Sequence, residues 1–384
     1  MTQTHRYHDG LRSGRSGHGV VFERTLMITT TPFGTAPSGS PVTVYNLVCA
    51  GARVRVMDYG ATILGIEVPD ASGDVADIAL GFDALDGYFD NPACYGGTIG
   101  PSANRTDKGQ IEIAGTVYQM ARNDGPDKAN NLHTDLEHGL HKRVWNATVD
   151  EITNTVSFTC KLADGELGLP GNRTFTVAYV LQAGPTGAAE LTCTQSCVTD
   201  ADTFVNMTNH TYFNLAGHDA GTVLDQVVTI DAEAFLPQRQ DNVSFGEVRP
   251  VAGTPFDFRA PKALGRDIDA NDEQLKIARG FDHCFCLDGF TPDADPRHAL
   301  HLQDPNSRRT LDIFVTAPGA HLYTGNWLSD IDAKDGCSYG PRDGVAFEPE
   351  FWPDNNHHTD WAHPVCTPDH PFSSTIVYRF STVC

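Results

Sequence analysis

The stretch at residues 206–215, Asn-Met-Thr-Asn-His-Thr-Tyr-Phe-Asn-Leu, gathers an unusual share of hydrogen-bonding side chains into a chain of 384 residues. Such groups are costly to bury unpaired, so they must face water or form a satisfied network. Read as a strand, alternation sets Asn206, Thr208, His210, Tyr212 and Asn214 on one face. That face offers an imidazole that titrates near neutrality, amides that both donate and accept, and an aromatic ring for C–H surface. It suits the floor of a sugar site. His210 alone fits equally well as a core histidine bonded to a backbone carbonyl.

Further stretches carry possible chemistry. Residues 96–109 are Gly-rich and contain Asn104-Arg105, but lack the Gly-Lys-Ser/Thr ending of a phosphate loop. Arg105 there reads as a fixed donor fork for oxygen ligands, or as part of a surface turn. His133 follows Asn130-Asn131-Leu132 and opens a loop with Asp135, Glu137, His138 and His141, whose spacing matches no closed zinc set. Asp282 precedes His283 at the start of an apolar run, where an ionised carboxylate accepts from two hydroxyls at once or caps an Asx turn. Glu348, after Val345-Ala346-Phe347, is placed for burial with a raised pKa, as a general base requires; Glu350 competes for that role.

Composition narrows the partners. Lys plus Arg number 27 against 49 Asp plus Glu, a net charge of −22, which repels nucleic acid and anionic lipid. No apolar run approaches the roughly 20 residues of a membrane-spanning helix. The 10 Cys are scattered without a CxxC pair and read as small core residues in a reducing, cytoplasmic compartment. Cys284 and Cys286 should share one strand face. Residues 1–28 read as a disordered or tag-like tail, and residues 29–384 as a single domain.

These residues must be positioned by strands. Short β-type runs recur at 42–48, 52–56, 59–69, 156–162, 175–181, 191–198, 227–230, 281–287, 311–317 and 375–380, punctuated by 36 Gly and 23 Pro. Helical periodicity is confined to a turn or two at 83–88 and 272–277. Many strands with few helices predict an all-β fold, a large antiparallel β-sandwich.

The order of the segments resembles the aldose 1-epimerase (galactose mutarotase) family along residues 40–382. The resemblance is carried by Leu80-Gly81-Phe82-Asp83, Ala103-Asn104-Arg105, Asn131-Leu132-His133, Lys142-Arg143-Val144-Trp145 and Pro170-Gly171-Asn172. It continues through residues 208–215, Phe281-Asp282-His283, Tyr323-Thr324-Gly325-Asn326 and residues 344–354. It implies a β-supersandwich with the sugar in a cleft on one sheet, and a reaction that interconverts the α and β anomers of a free aldose. By motif position Glu348 corresponds to the general base and His210 to the general acid. His133, Arg105 and Asp282, with Asn104 beside them, correspond to groups that hold the sugar. Neither metal nor organic cofactor is implied, and a monomer or homodimer is expected. An isomerase acting on another cyclic hemiacetal and a non-catalytic sugar-binding protein are the alternatives.

The chain departs from the family at several points. Leu-His-Gly-Gly becomes Leu132-His133-Thr134-Asp135, Gly100-Pro101-Ser102 replaces a Gly-Arg sequence, and Pro349-Glu350 stands where Thr-Gln is frequent. Glycines after His133 would permit positive φ, so Thr134 and Asp135 are expected to reshape the rim. Asp135 and Glu137 are expected to act there on sugar choice.

Overall fold

The computed structural model describes residues 28–383; the expected tail, apart from Ile28, lies outside them. The fold is an all-β antiparallel sandwich built from three larger sheets. A nine-stranded sheet runs in the order Asn146–Asp150, Thr155–Leu162, Arg173–Ala183, Ala189–Thr199, Phe372–Thr382, Arg309–Val315, Arg297–Gln303, Val227–Ile230 and Lys262–Ala263. Its Arg173–Ala183 strand alternates: Phe175, Val177, Tyr179 and Leu181 are buried while the residues between them are half-exposed. One face is therefore core and the other meets water. A five-stranded meander, Thr29–Thr35 to Val75–Asp77, adds Leu47, Val54 and Val56 to the same core.

The sheet that bears the site has six strands: Tyr212–Phe213, Val345–Glu350, Gly319–Tyr323, Asp282–Leu287, Ala232–Phe235 and Arg249–Pro250. Asp282–Leu287 and Val345–Glu350 are buried at every position, so both of their faces are covered. Period 2 still sorts the side chains. Phe285, Leu287, Ala320, Leu322, Val345 and Phe347 enter the main apolar core. The opposite phase, Asp282, Cys284, His321, Tyr323, Glu348 and Glu350, faces away from it. Cys284 and Cys286 do share a face, packed with Leu236 and Trp361.

The strand runs expected from sequence are present with ends shifted by a few residues. The 83–88 turn is 3₁₀, at Leu85–Tyr88, and the expected 272–277 helix is an α-helix at Glu273–Ala278 whose Asp272 cap accepts from the Gln274 and Leu275 amides. Residues 206–215 depart from expectation. They form two separate pairings, Thr208–Asn209 with Thr98–Ile99 and Tyr212–Phe213 with Val345–Ala346, and every residue in the stretch is buried. Packing on both sides removes the solvent face that an alternating strand would have kept. Among the described residues no helix is long and apolar enough to cross a membrane.

Candidate active site

The Gly-rich segment fixes His210. The His210 amide donates to the Gly97 carbonyl and its carbonyl accepts from the Gly96 amide, both at 3.0 Å. Gly96 has φ +65°, and a Cβ there would stand 1.9 Å from the Ile63 carbonyl oxygen, so only glycine allows this approach. Asn209 donates to the Gly96 carbonyl, Asn206 to that of Phe351, and Asn214 to those of Gly221 and Asp343. These asparagines tie backbone segments together. The floor expected from the whole 206–215 face reduces to His210 and Tyr212.

All six residues singled out from sequence, Asn104, Arg105, His133, His210, Asp282 and Glu348, line one cleft of about 240 Å³. At its base His210 Nε2 lies 3.4 Å from Glu348 Oε1. Both side chains are almost wholly buried. The His210 ring tilts against Tyr212 with centroids 5.0 Å apart and meets His133 edge-on at 5.4 Å. Glu348 Oε2 has no hydrogen-bond partner among the described residues.

The flanking groups form a connected brace. Asn104 and His133 both sit at positive φ, +56° and +54°, and exchange contacts: the His133 amide donates to the Asn104 carbonyl, and the Asn104 amide to His133 Nδ1 at 3.1 Å. With Nδ1 accepting, Nε2 carries the ring proton. The ligand-type atoms of His133, His210 and Glu348 lie within 4.8 Å of one another. The committed His133 nitrogens make that ring a hydrogen donor to the cleft rather than a lone pair for a cation. Asn104 Nδ2 donates to His321 Nδ1 at 2.9 Å and to Glu350 Oε1 at 3.0 Å, while its Oδ1 accepts from the Arg105 amide. Asn104 thus lines the cleft with its amide already engaged. Arg105 Nε donates to Asp124 at 2.9 Å, which steadies the guanidinium with its terminal nitrogens still available.

Sequence reasoning missed His321. It stands opposite Glu348 in the register and donates from Nε2 to Asp282 Oδ1 at 2.6 Å. A signal existed: in Gly319-Ala320-His321-Leu322-Tyr323 alternation puts the imidazole on the face opposite Ala320 and Leu322. Tyr323 and, at the mouth, Trp327 also line the cleft.

Electrostatics separate the carboxyls. Burial, with the nearby Asp282 charge, raises Glu348 well above the usual carboxylate range. Burial and the Glu348 charge raise Glu350 likewise. Burial also acts to raise Asp282, but the hydrogen bond and charge of His321, with Arg105, outweigh it and hold Asp282 at about 2. Burial pushes His210 down to about 4 and His133 well below its ordinary value.

The altered loop after His133 is not a sugar-facing acidic rim. Thr134 is buried at φ +65°, and its Oγ1 donates to the Ser102 carbonyl and accepts from the Ser102 amide. Asp135 Oδ1 accepts from the Glu137 and His138 amides, closing its own turn. Neither Asp135 nor Glu137 is among the cleft-lining residues.

Residues 44–379 match the family model described as Aldose 1-epimerase. The chain belongs to the aldose 1-epimerase family. It is 35 % identical over 358 residues to a galactose mutarotase of Bos taurus, covering 93 % of this chain and 99 % of that one. It is 33 % identical over 357 residues to an aldose 1-epimerase of Escherichia coli K12, covering 92 % and 99 %. Among solved structures, a galactose 1-epimerase from Lactobacillus acidophilus superposes with a TM-score of 0.78 at 26 % identity, covering 94 % of this chain and all of that one. As a member of this family the chain is an isomerase, and the cleft described above gathers all six residues singled out from its sequence.

Proposed function

We propose that the chain interconverts the α and β anomers of a free neutral aldose of the galactose or glucose type, with Glu348 and His210 as its proton-transfer pair. The observation that carries this reading is the buried 3.4 Å approach of His210 Nε2 to Glu348 Oε1 at the base of a cleft walled by hydroxyl-binding groups.

The chemistry needs one proton held between two sites. The Glu348 carboxylate takes the proton of the anomeric hydroxyl, the C1 carbonyl forms, the C1–O5 bond breaks, and His210 delivers its proton to O5. Rotation about C1–C2 turns the other carbonyl face toward O5. On reclosure His210 recovers the O5 proton and Glu348 returns its own to O1. Opening therefore converts a carboxylate and an imidazolium into a carboxylic acid and a neutral imidazole. Burial favours that neutral pair in this site, with each pKa unit corresponding to about 1.4 kcal/mol. The geometry thereby supports access to the open-chain state.

Asp282, His133 Nε2–H and the Arg105 fork hold hydroxyls of C2 to C6 and leave C1 free to turn. The ionised Asp282 carboxylate in the cleft disfavours phosphorylated sugars and uronates. The reading includes a cytoplasmic monomer or homodimer that needs no metal, organic cofactor or nucleic acid. The acidic balance of 49 against 27 is its support for a neutral small-molecule partner. Polarimetry of freshly dissolved α-galactose and α-glucose tests the proposal; unchanged rates of rotation with and without the protein for both sugars would refute it.

A further inference from the structure

Trp327 stands at the mouth of the cleft with 54 % of its surface exposed. Isolated exposed apolar side chains are ordinary. This one is held from several sides. The Arg279 guanidinium carbon lies 3.9 Å from the ring centroid, and Arg279 does not line the cleft. The cation covers one face of the indole, while Trp327 itself lines the cleft. Arg279 is itself anchored, since its amide caps the Glu273–Ala278 helix by donating to the Leu275 carbonyl. The Trp327 amide donates to Tyr323 Oη at 3.1 Å, and the next residue, Leu328, is buried.

The rim continues with polar groups. Ser329 and Asp330 line the mouth beside Trp327, and Asp330 Oδ2 accepts from Tyr95 Oη at 2.6 Å. An indole fixed in place, backed by a cation and flanked by acceptors is suited to a second pyranose, whose C–H face stacks while its hydroxyls donate outward. The order into the cleft is then Trp327 at the mouth, hydroxyl-binding groups on the walls, and Glu348 with His210 at the base.

We propose that Trp327 forms an outer sugar subsite, so that a reducing disaccharide binds with its reducing ring over Glu348 and His210 and its second ring stacked on the indole. This rests on the function proposed above. The reaction is the same ring opening at the reducing residue, and the glycosidic bond is untouched.

The test compares wild type, Trp327→Ala and Trp327→Phe on galactose, glucose, lactose and maltose by polarimetry. In Trp327→Ala the ratio of disaccharide to monosaccharide KM is expected to rise roughly tenfold or more, the range for loss of one stacked ring. Trp327→Phe should restore most of it. An equal rise for both sugar classes, or none, overturns the subsite. Calorimetric binding of lactose and maltose to Glu348→Gln, with and without Trp327→Ala, decides the subsite without turnover. If wild type turns over no sugar, the proposed function fails, while equal disaccharide affinities in the two binding variants would sink the subsite alone.

Discussion

His321 donates from Nε2 to Asp282 at 2.6 Å while its Nδ1 accepts from Asn104, so one imidazole couples the carboxylate on one strand to the loop that carries Arg105. Asp282 is thereby held ionised with one oxygen engaged. The other remains for a ligand.

Removing that imidazole should misplace the sugar rather than the proton pair. His321→Ala is expected to raise KM by roughly 5- to 150-fold, the effect of about 1–3 kcal/mol from unpaired buried polar groups, with a smaller fall in kcat. Steady-state kinetics across a sugar series check the split. A loss confined to kcat would place His321 in proton transfer instead.

The two glutamates of Val345–Glu350 should behave differently. Glu348→Gln cannot accept the anomeric proton, so kcat is expected to fall about 10²- to 10⁴-fold with sugar binding retained. Glu350→Gln keeps an acceptor for Asn104 and should retain turnover. Loss of turnover in Glu350→Gln with an active Glu348→Gln would reverse the roles.

Activity should be flat through neutral pH. The Glu348–His210 pair holds one proton between the lowered His210 value of about 4 and the raised Glu348 value. Below about 4 both groups are protonated and the base is lost; above the raised carboxyl value the acid is lost. The profile of kcat/KM against pH checks this, and an acid limb centred at the ordinary histidine value of 6.5 would contradict it.

Stability should peak near the histidine range. His141 and His283 are lowered by burial to about 3 and His210 to about 4, and His133 is lowered as well. Below 6.5 the unfolded chain gains protons that these rings refuse, so stability falls with pH by about 1.4 kcal/mol per unit for each. Glu348 and Glu350 act oppositely: above 4.5 the folded chain keeps protons that the unfolded chain has lost, so their contribution falls as pH rises. Above 6.5 only this second slope remains of the two. Urea midpoints at about pH 5, 6.5 and 8 measure it; a midpoint highest at the acid end would show that the buried histidines do not dominate.

The loop after His133 should set local strain and not sugar choice. Asp135→Ala with Glu137→Ala is expected to leave the relative kcat/KM for galactose, glucose, xylose and arabinose unchanged within about twofold, since neither carboxylate lines the cleft. A reordered sugar profile would show that the loop reaches the ligand.

By itself the sequence determined the fold class, because short β-branched and aromatic runs cut by Gly and Pro leave little besides an antiparallel sandwich. It also singled out six residues that the fold gathers in one cleft. Glu348 and Asp282 are carboxylates in largely apolar strands, a placement that burial makes costly without a partner, and His210 and Arg105 sit in motifs dense with polar groups. The tertiary structure alone decided how those residues are braced. Residues 206–215 alternate in sequence, yet neighbours on both sides bury them completely, and local periodicity cannot report a covered second face. Asn104 meets its partners His321 and Glu350 across 217 and 246 positions, and no local pattern encodes contacts at that separation. The same holds for Thr134, whose hydroxyl turns inward to Ser102, 32 positions away, and carries the loop's carboxylates away from the cleft. Protonation is tertiary too: burial and the Asp282 charge raise Glu348, whereas the hydrogen bond from His321 helps to outweigh burial and lower Asp282.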